Sequence, residues 1–287
     1  MASNNRLLDR LVMNAACAVA KSREDMLALC DTKVDIVLMG SMTVEPRDPN
    51  PAPNWYDGGL FGLNSFGLPN PGIKANAQFI PEVLELAHQK GKEFMISVAG
   101  FSVEEYRALA EFADEMKVDY LELNLSCPNT DHGKIVSFDP ELVGEIVKVV
   151  LDVTSSVKVT VKVSPYTDPN LLKIVADKLA LLHQEYDRLV GVVTMNTIPN
   201  ALVLDKGKSV IGAGLAGMSG KAVMPFALGQ VFQFRQLLPD TMAVIGVGGI
   251  ETYEDLNQYF EAGASSVQAA TLIVRDGHQA INELCQK

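Results

Sequence analysis

A cysteine at position 127 sits in the segment LELNLSCPNT, residues 121–130, where alternating aliphatic side chains give way to Asn124, Ser126, Cys127, Pro128 and Asn129. A packed core would not choose that cluster. A thiol in a loop directly after a strand is open to three roles: thiolate nucleophile, general acid or base, or small apolar filler. His132 lies five residues on and reads as a solvated loop residue, so no histidine is at hand for a protease-type nucleophile. Lys162, in VTVKVSPY, interrupts an apolar strand near its end, and burying an unpaired ammonium is costly, so an anionic partner is expected. Asn64 and Asn70 in NSFGLPNPG, with Asn124, Asn129 and Asn196, supply amides that present donor and acceptor together without a charge to desolvate. Such a set suits a cyclic imide or ureide ligand.

The elements that must position these groups follow from hydrophobic periodicity. Strands are expected over 11–13, 34–39, 94–98, 119–123, 158–163, 189–195, 242–245 and 265–269. Helices are expected over 22–30, 78–89, 102–116, 140–151, 169–183, 222–238, 252–261 and 277–284. Ser102 with Glu105 and Thr252 with Asp255 have the spacing of helix N-caps. Eight βα units in about 250 residues indicate an α/β fold of the (β/α)8 barrel type, a TIM barrel, with an open doubly wound sheet as the competing arrangement. The chain is read as one domain, 1–287, with long loops 40–77, 124–138 and 196–221 over the strand C-termini, where barrel enzymes keep their sites.

On that frame the polar residues fall at strand ends. Asn14 and Ala15 end the first strand, Asn124 follows the fourth, Lys162 ends the fifth, and Asn196 and Thr197 end the sixth. GVGGI follows the seventh strand and AAT the eighth, the recurrent phosphate site of this fold, so Gly248, Gly249, Ala270 and Thr271 are phosphate candidates.

Composition narrows the partners. A formal net charge of -11 argues against nucleic acid or an anionic membrane surface as the main partner. Cys17, Cys30 and Cys285 stand far apart with no CxxC pair, so they read as reduced, inert thiols and no metal site is expected. The N-terminus carries Asp9 and no long apolar run, so a cytoplasmic protein without a signal peptide or membrane span is expected.

The strings LNLSCPNT, NSFGLPNPG, VKVSPYTD, TMNTIPN and IGVGGIET, in order between Asn14 and Gly277, resemble the dihydroorotate dehydrogenases. The cysteine of NLSCPN resembles the class 1 members, most of all class 1A. The resemblance implies an FMN-binding barrel that oxidises dihydroorotate to orotate in pyrimidine synthesis, as a homodimer with fumarate as electron acceptor. It implies Cys127 as the base that removes the C5 proton while hydride passes from C6 to flavin N5. It implies pyrimidine contacts from Asn64, Asn124, Asn129, Asn196 and Thr197, with Phe66, Gly67 and Leu68 at the substrate carboxylate. Lys162 matches the lysine near flavin N1 and O2, and Ala15, Ala16, Gly40, Ser41, Asn124, Gly217, Gly248, Gly249, Ala270 and Thr271 match FMN-contacting positions.

One departure bears on the substrate. Family members carry a lysine after the second strand, in a string like TKSST, whereas this chain has MGSMT with Gly40 at that position. Arg47, in the same long loop, is the candidate replacement cation. A milder departure is AAT where a string like GTA is usual. Two other readings follow: an FMN enzyme acting on another dihydropyrimidine or enone-like ring, and a barrel that binds a phosphorylated ligand without redox chemistry. An NAD-linked form with a partner subunit is a further variant.

Overall fold

The computed structural model describes residues 5–126 and 135–285. Eight parallel strands close into a barrel: β1 (Val12–Asn14), β2 (Ile36–Met42), β3 (Glu93–Val98), β4 (Tyr120–Asn124), β5 (Lys158–Lys162), β6 (Leu189–Val193), β7 (Ala243–Val247) and β8 (Ser266–Ala269). Each strand pairs with its neighbours in chain order, and β8 returns to β1 through Val12↔Val267 to Asn14↔Ala269. All eight expected strands are present, and the open sheet is excluded.

The strands are buried on both faces, which is why they read as near-continuous apolar runs. Period-two alternation sends Leu121 and Leu123 outward to the helices and Glu122 and Asn124 inward. The outer layer comprises helices Arg23–Cys30, Ile80–Gln89, Val103–Glu115, Pro140–Val153, Pro169–Glu185, Met224–Leu237 and Tyr253–Glu261. The hydroxyls of Ser102 and Thr252 accept from the backbone N–H groups of Glu105 and Asp255, as their spacing predicts. No helix is long and apolar enough to cross a membrane among the described residues.

Two expectations change. The last helix, expected over 277–284, is instead an α-helix at Thr271–Asp276 followed by a 3-10 segment at His278–Cys285. Gly277 separates them at φ 86°, a conformation an α-helix does not hold. The long loops are also not structureless. Trp55–Asp57 and Gly62–Asn64 from one join Ala216–Ser219 and Ile198–Ala201 from the other in a four-stranded antiparallel sheet. Periodicity could not reveal it, because each strand is only three or four residues long.

Candidate active site

The antiparallel sheet carries residues into the walls of a cavity at the C-terminal mouth of the barrel. Asn64 comes from its second strand, with Nδ2 donating to Gly217 O at 3.3 Å. Phe66, Gly67 and Leu68 follow, and Trp55 stacks on Phe66 with ring centres 6.3 Å apart. Gly67 sits at φ 81°, where a Cβ would crowd the Asn50 side chain. From the barrel itself come Gly40, Ser41, Asn124, Asn196 and Thr197. Thr197 N–H donates to Asn196 Oδ1 at 2.7 Å, fixing that amide.

A second cavity adjoins the first and is lined by Ala15, Lys162, Gly248 and Gly249. Ala16, Asn196, Thr197, Ala270 and Thr271 line both. Gly248 and Gly249 take φ 123° and 73°, and a Cβ on Gly249 would lie 2.7 Å from Gly220 O. Among the described residues, the N–H groups of Gly248, Gly249 and Ala270 have no backbone acceptor. Such open N–H groups are what an anion needs. Two loops expected from separate glycine and alanine strings are therefore brought to one wall.

Lys162 is 4 % exposed, and its Nζ lies 3.9 Å from Glu122 Oε1 and donates to Gln268 Oε1 at 3.3 Å. Glu122 is the anionic partner that burial demanded, itself fully buried and accepting from Ser97 Oγ and Gln268 Nε2. The lysine is thus held at the inner end of the second cavity by a neutralised, hydrogen-bonded cluster.

The structure brings the candidates among the described residues together, apart from Asn70 and Arg47. Cys127 and Asn129 lie outside the described residues. Asn70 does not join the other amides: its oxygen accepts from Thr43 N and Gly72 N, and its nitrogen donates to Thr43 Oγ1 and Leu68 O. That amide is fully used in holding its own loop. Arg47 is not among the described residues lining either cavity; its guanidinium lies over the Phe101 ring, and Nε donates to Gly67 O.

Gly40 is more than a missing cation. It adopts φ 128° on β2, and a Cβ there would collide with the Ser97 carbonyl. This backbone takes no side chain. Lys21, which sequence reasoning missed, lines the first cavity instead and is the only charged side chain doing so among the described residues. Its Nζ donates to Pro69 O at 2.9 Å, just past the Phe66, Gly67 and Leu68 segment. Asp25 accepts from the backbone N–H groups of Lys21 and Ser22, which fixes the turn carrying the lysine. Cys17 also lines this cavity; burial pushes its thiol up to about 11, outweighing the Val19 backbone contact and the Lys21 and Lys162 charges.

The dihydroorotate dehydrogenase family model matches residues 5–287. The chain is 33% identical to the dihydroorotate dehydrogenase (fumarate) of Trypanosoma cruzi, over 92% of this chain and 84% of that one. It is 35% identical to the catalytic subunit of the dihydroorotate dehydrogenase B (NAD(+)) of Bacillus pumilus, over 83% and 75% respectively. In fold it resembles the crystal structure of DHODH from Eimeria tenella in complex with ferulenol, with TM-score 0.80 at 20% identity, covering 95% of this chain and 80% of that one. A parallel barrel with amides and a buried lysine at its mouth, matched along nearly its whole length, thus belongs to the dihydroorotate dehydrogenase family of flavoprotein enzymes.

Proposed function

We propose that the chain is an FMN-dependent oxidoreductase converting dihydroorotate to orotate in pyrimidine biosynthesis, with fumarate as electron acceptor. The carrying observation is the pair of adjoining cavities, one walled by Asn64, Asn124, Asn196 and Thr197, the other by Lys162 and two glycine- or alanine-bearing loops. The second suits FMN. Open N–H groups at Gly248, Gly249 and Ala270 would hold its phosphate, with Thr271 beside them, and Lys162 would face the ring where negative charge develops on reduction. Ala15, Ala16, Gly40, Ser41 and Gly217 would line the ring's surroundings. When bound, FMN would supply the two-electron acceptor for the hydride lost from C6 of the substrate.

The chain's own residues do the rest. Asn64, Asn124, Asn129, Asn196 and Thr197 hold the pyrimidine ring by paired donors and acceptors. Cys127 takes the C5 proton. Phe66, Gly67 and Leu68 meet the carboxylate, and Lys21 supplies the cation that Gly40 cannot. A neutral dihydropyrimidine is the second reading, favoured by the side-chain-free backbone at Gly40 and opposed by Lys21.

Fumarate is preferred because the fumarate relative aligns over more of the chain than the NAD(+) relative. Homodimer assembly in the cytoplasm completes the proposal; Leu202, Leu204 and Leu215, each at least half exposed, support a surface that association would cover. The test is anaerobic addition of dihydroorotate to the purified yellow protein. Bleaching of the flavin band, reversed by fumarate, is expected; a flavin that stays oxidised rejects the substrate.

A further inference from the structure

A row of polar side chains on the inner face of the barrel links the ligand-facing Asn124 and Ser41 to Ser97 and Glu122, which have no part in the reaction as proposed. Glu122 Oε1 accepts from Ser97 Oγ at 2.8 Å, and Oε2 accepts from Gln268 Nε2 at 2.7 Å. Ser97 Oγ lies 2.9 Å from Ser41 Oγ, and Asn124 Nδ2 donates to Ser41 Oγ at 3.0 Å. A hydroxyl has one proton. That of Ser97 is committed to Glu122, so Ser41 donates to Ser97 and accepts from Asn124. Every bond in the row points toward the carboxylate.

Both ends are pinned. Gln268 cannot turn over, because its oxygen accepts from the Lys162 ammonium at 3.3 Å and a reversed amide would set an NH2 against that charge. At the other end, Asn124 Oδ1 accepts from Ser126 N and Oγ at 3.3 and 3.0 Å. The second N–H of Asn124 has no partner among the described residues, and the residue lines the first cavity.

We infer that Glu122 is a positioning residue: as an acceptor for Ser97 its carboxylate keeps the Ser97, Ser41 and Asn124 hydroxyl–amide row from reversing, so that Asn124 stays as the Ser126 N–H holds it, meets the ligand as a donor and selects a ring carbonyl there. The inference rests on the pyrimidine substrate proposed above and deepens it.

Glu122→Gln supplies one oxygen where the row and Gln268 need two. The oxygen goes to Gln268, which cannot turn, so the new NH2 faces Ser97 and drives the row backwards against the fixed Ser126 N–H. Removing the Ser97 hydroxyl cuts the row without touching the Lys162, Glu122 and Gln268 contacts. Loss of the anion beside Lys162 acts equally in both backgrounds, so a double-mutant cycle isolates the row.

The cycle is measured on the full-length protein as purified, by calorimetric titration with orotate and by urea unfolding. Glu122→Gln is expected to weaken orotate binding about tenfold or more. Ser97→Ala alone is expected to change it by less than about threefold, and the double variant to bind within about threefold of Ser97→Ala. An equal loss in both backgrounds, or no loss in Glu122→Gln, overturns the inference. If Glu122→Gln does not fold, the double variant must still fold and bind as Ser97→Ala does; its failure is equally fatal. The urea midpoints follow the same non-additive pattern without any ligand. Non-additive midpoints in a protein with no orotate affinity would therefore refute the substrate while upholding the row.

Discussion

Replacing Lys21 by methionine tests whether an ammonium from the first βα loop has taken over the substrate carboxylate. Lys21 is the only charged side chain lining the first cavity among the described residues, and its Nζ is held 2.9 Å from Pro69 O beside the 66–68 segment. An ammonium and a carboxylate about 4 Å apart attract by about 4 kcal/mol at an effective dielectric near 20. Desolvation of both offsets part of this, and hydrogen bonds to charged groups contribute about 1.5–3 kcal/mol net. Orotate affinity should therefore fall about 10- to 150-fold in Lys21→Met. Uracil has the same ring without the carboxylate, so its affinity should change by less than about twofold. Lys21→Arg should restore most of the orotate affinity. Calorimetric titration of both ligands into the three proteins reads the result. Orotate binding as tight in Lys21→Met as in the wild type would refute the reasoning, whereas wild-type protein that prefers uracil would refute the substrate.

Gly40→Lys, which restores the residue usual in the family, should not tighten orotate binding; overpacking against the Ser97 carbonyl at φ 128° should cost about 2–4 kcal/mol in urea unfolding. The Asp114 carboxyl is raised by burial but held at about 2 by the Ser155 hydroxyl and the backbone N–H groups of Ser156, Ser155 and Val157, which outweigh it. Its folded value lies below its unfolded one, so the stabilisation is present at neutral pH and is lost as pH falls from about 4 to about 2. Because the group is partly solvated, Asp114→Asn should cost only about 1 kcal/mol at pH 7 and almost nothing at pH 2, measured by urea unfolding at both. With its thiol at about 11, Cys17 should be about 0.1 % thiolate at pH 8, so Cys17→Ser should leave the fast phase of thiol-reagent labelling unchanged.

The barrel was legible because its strands are runs of Val, Ile and Leu separated by amphipathic segments, and that period survives whatever the tertiary contacts are. Lys162 was legible for a related reason: an ammonium inside such a run demands an anion, and burial makes the demand strict. Which of the 35 acidic residues answers it was not legible, because Glu122 meets Lys162 only once β4 and β5 pair in register, and meets Gln268 only once the barrel closes across 146 residues of chain. Lys21 was hidden by a different circumstance. It lies in a short loop after the first strand with no periodicity of its own, and only the 66–68 segment folding over that loop turns it toward a cavity.

Glu122 did leave one signal. It stands two residues before Asn124 in the same strand, and a period of two puts both on the inner face. A carboxylate on that face, fully buried, must be satisfied by polar neighbours that also point inward. Ser97 lies directly across from it in register on β3, and Asn124 faces Lys162 on β5. The strand that delivers a mouth amide therefore also delivers, one step deeper, the group that keeps that amide from being turned over.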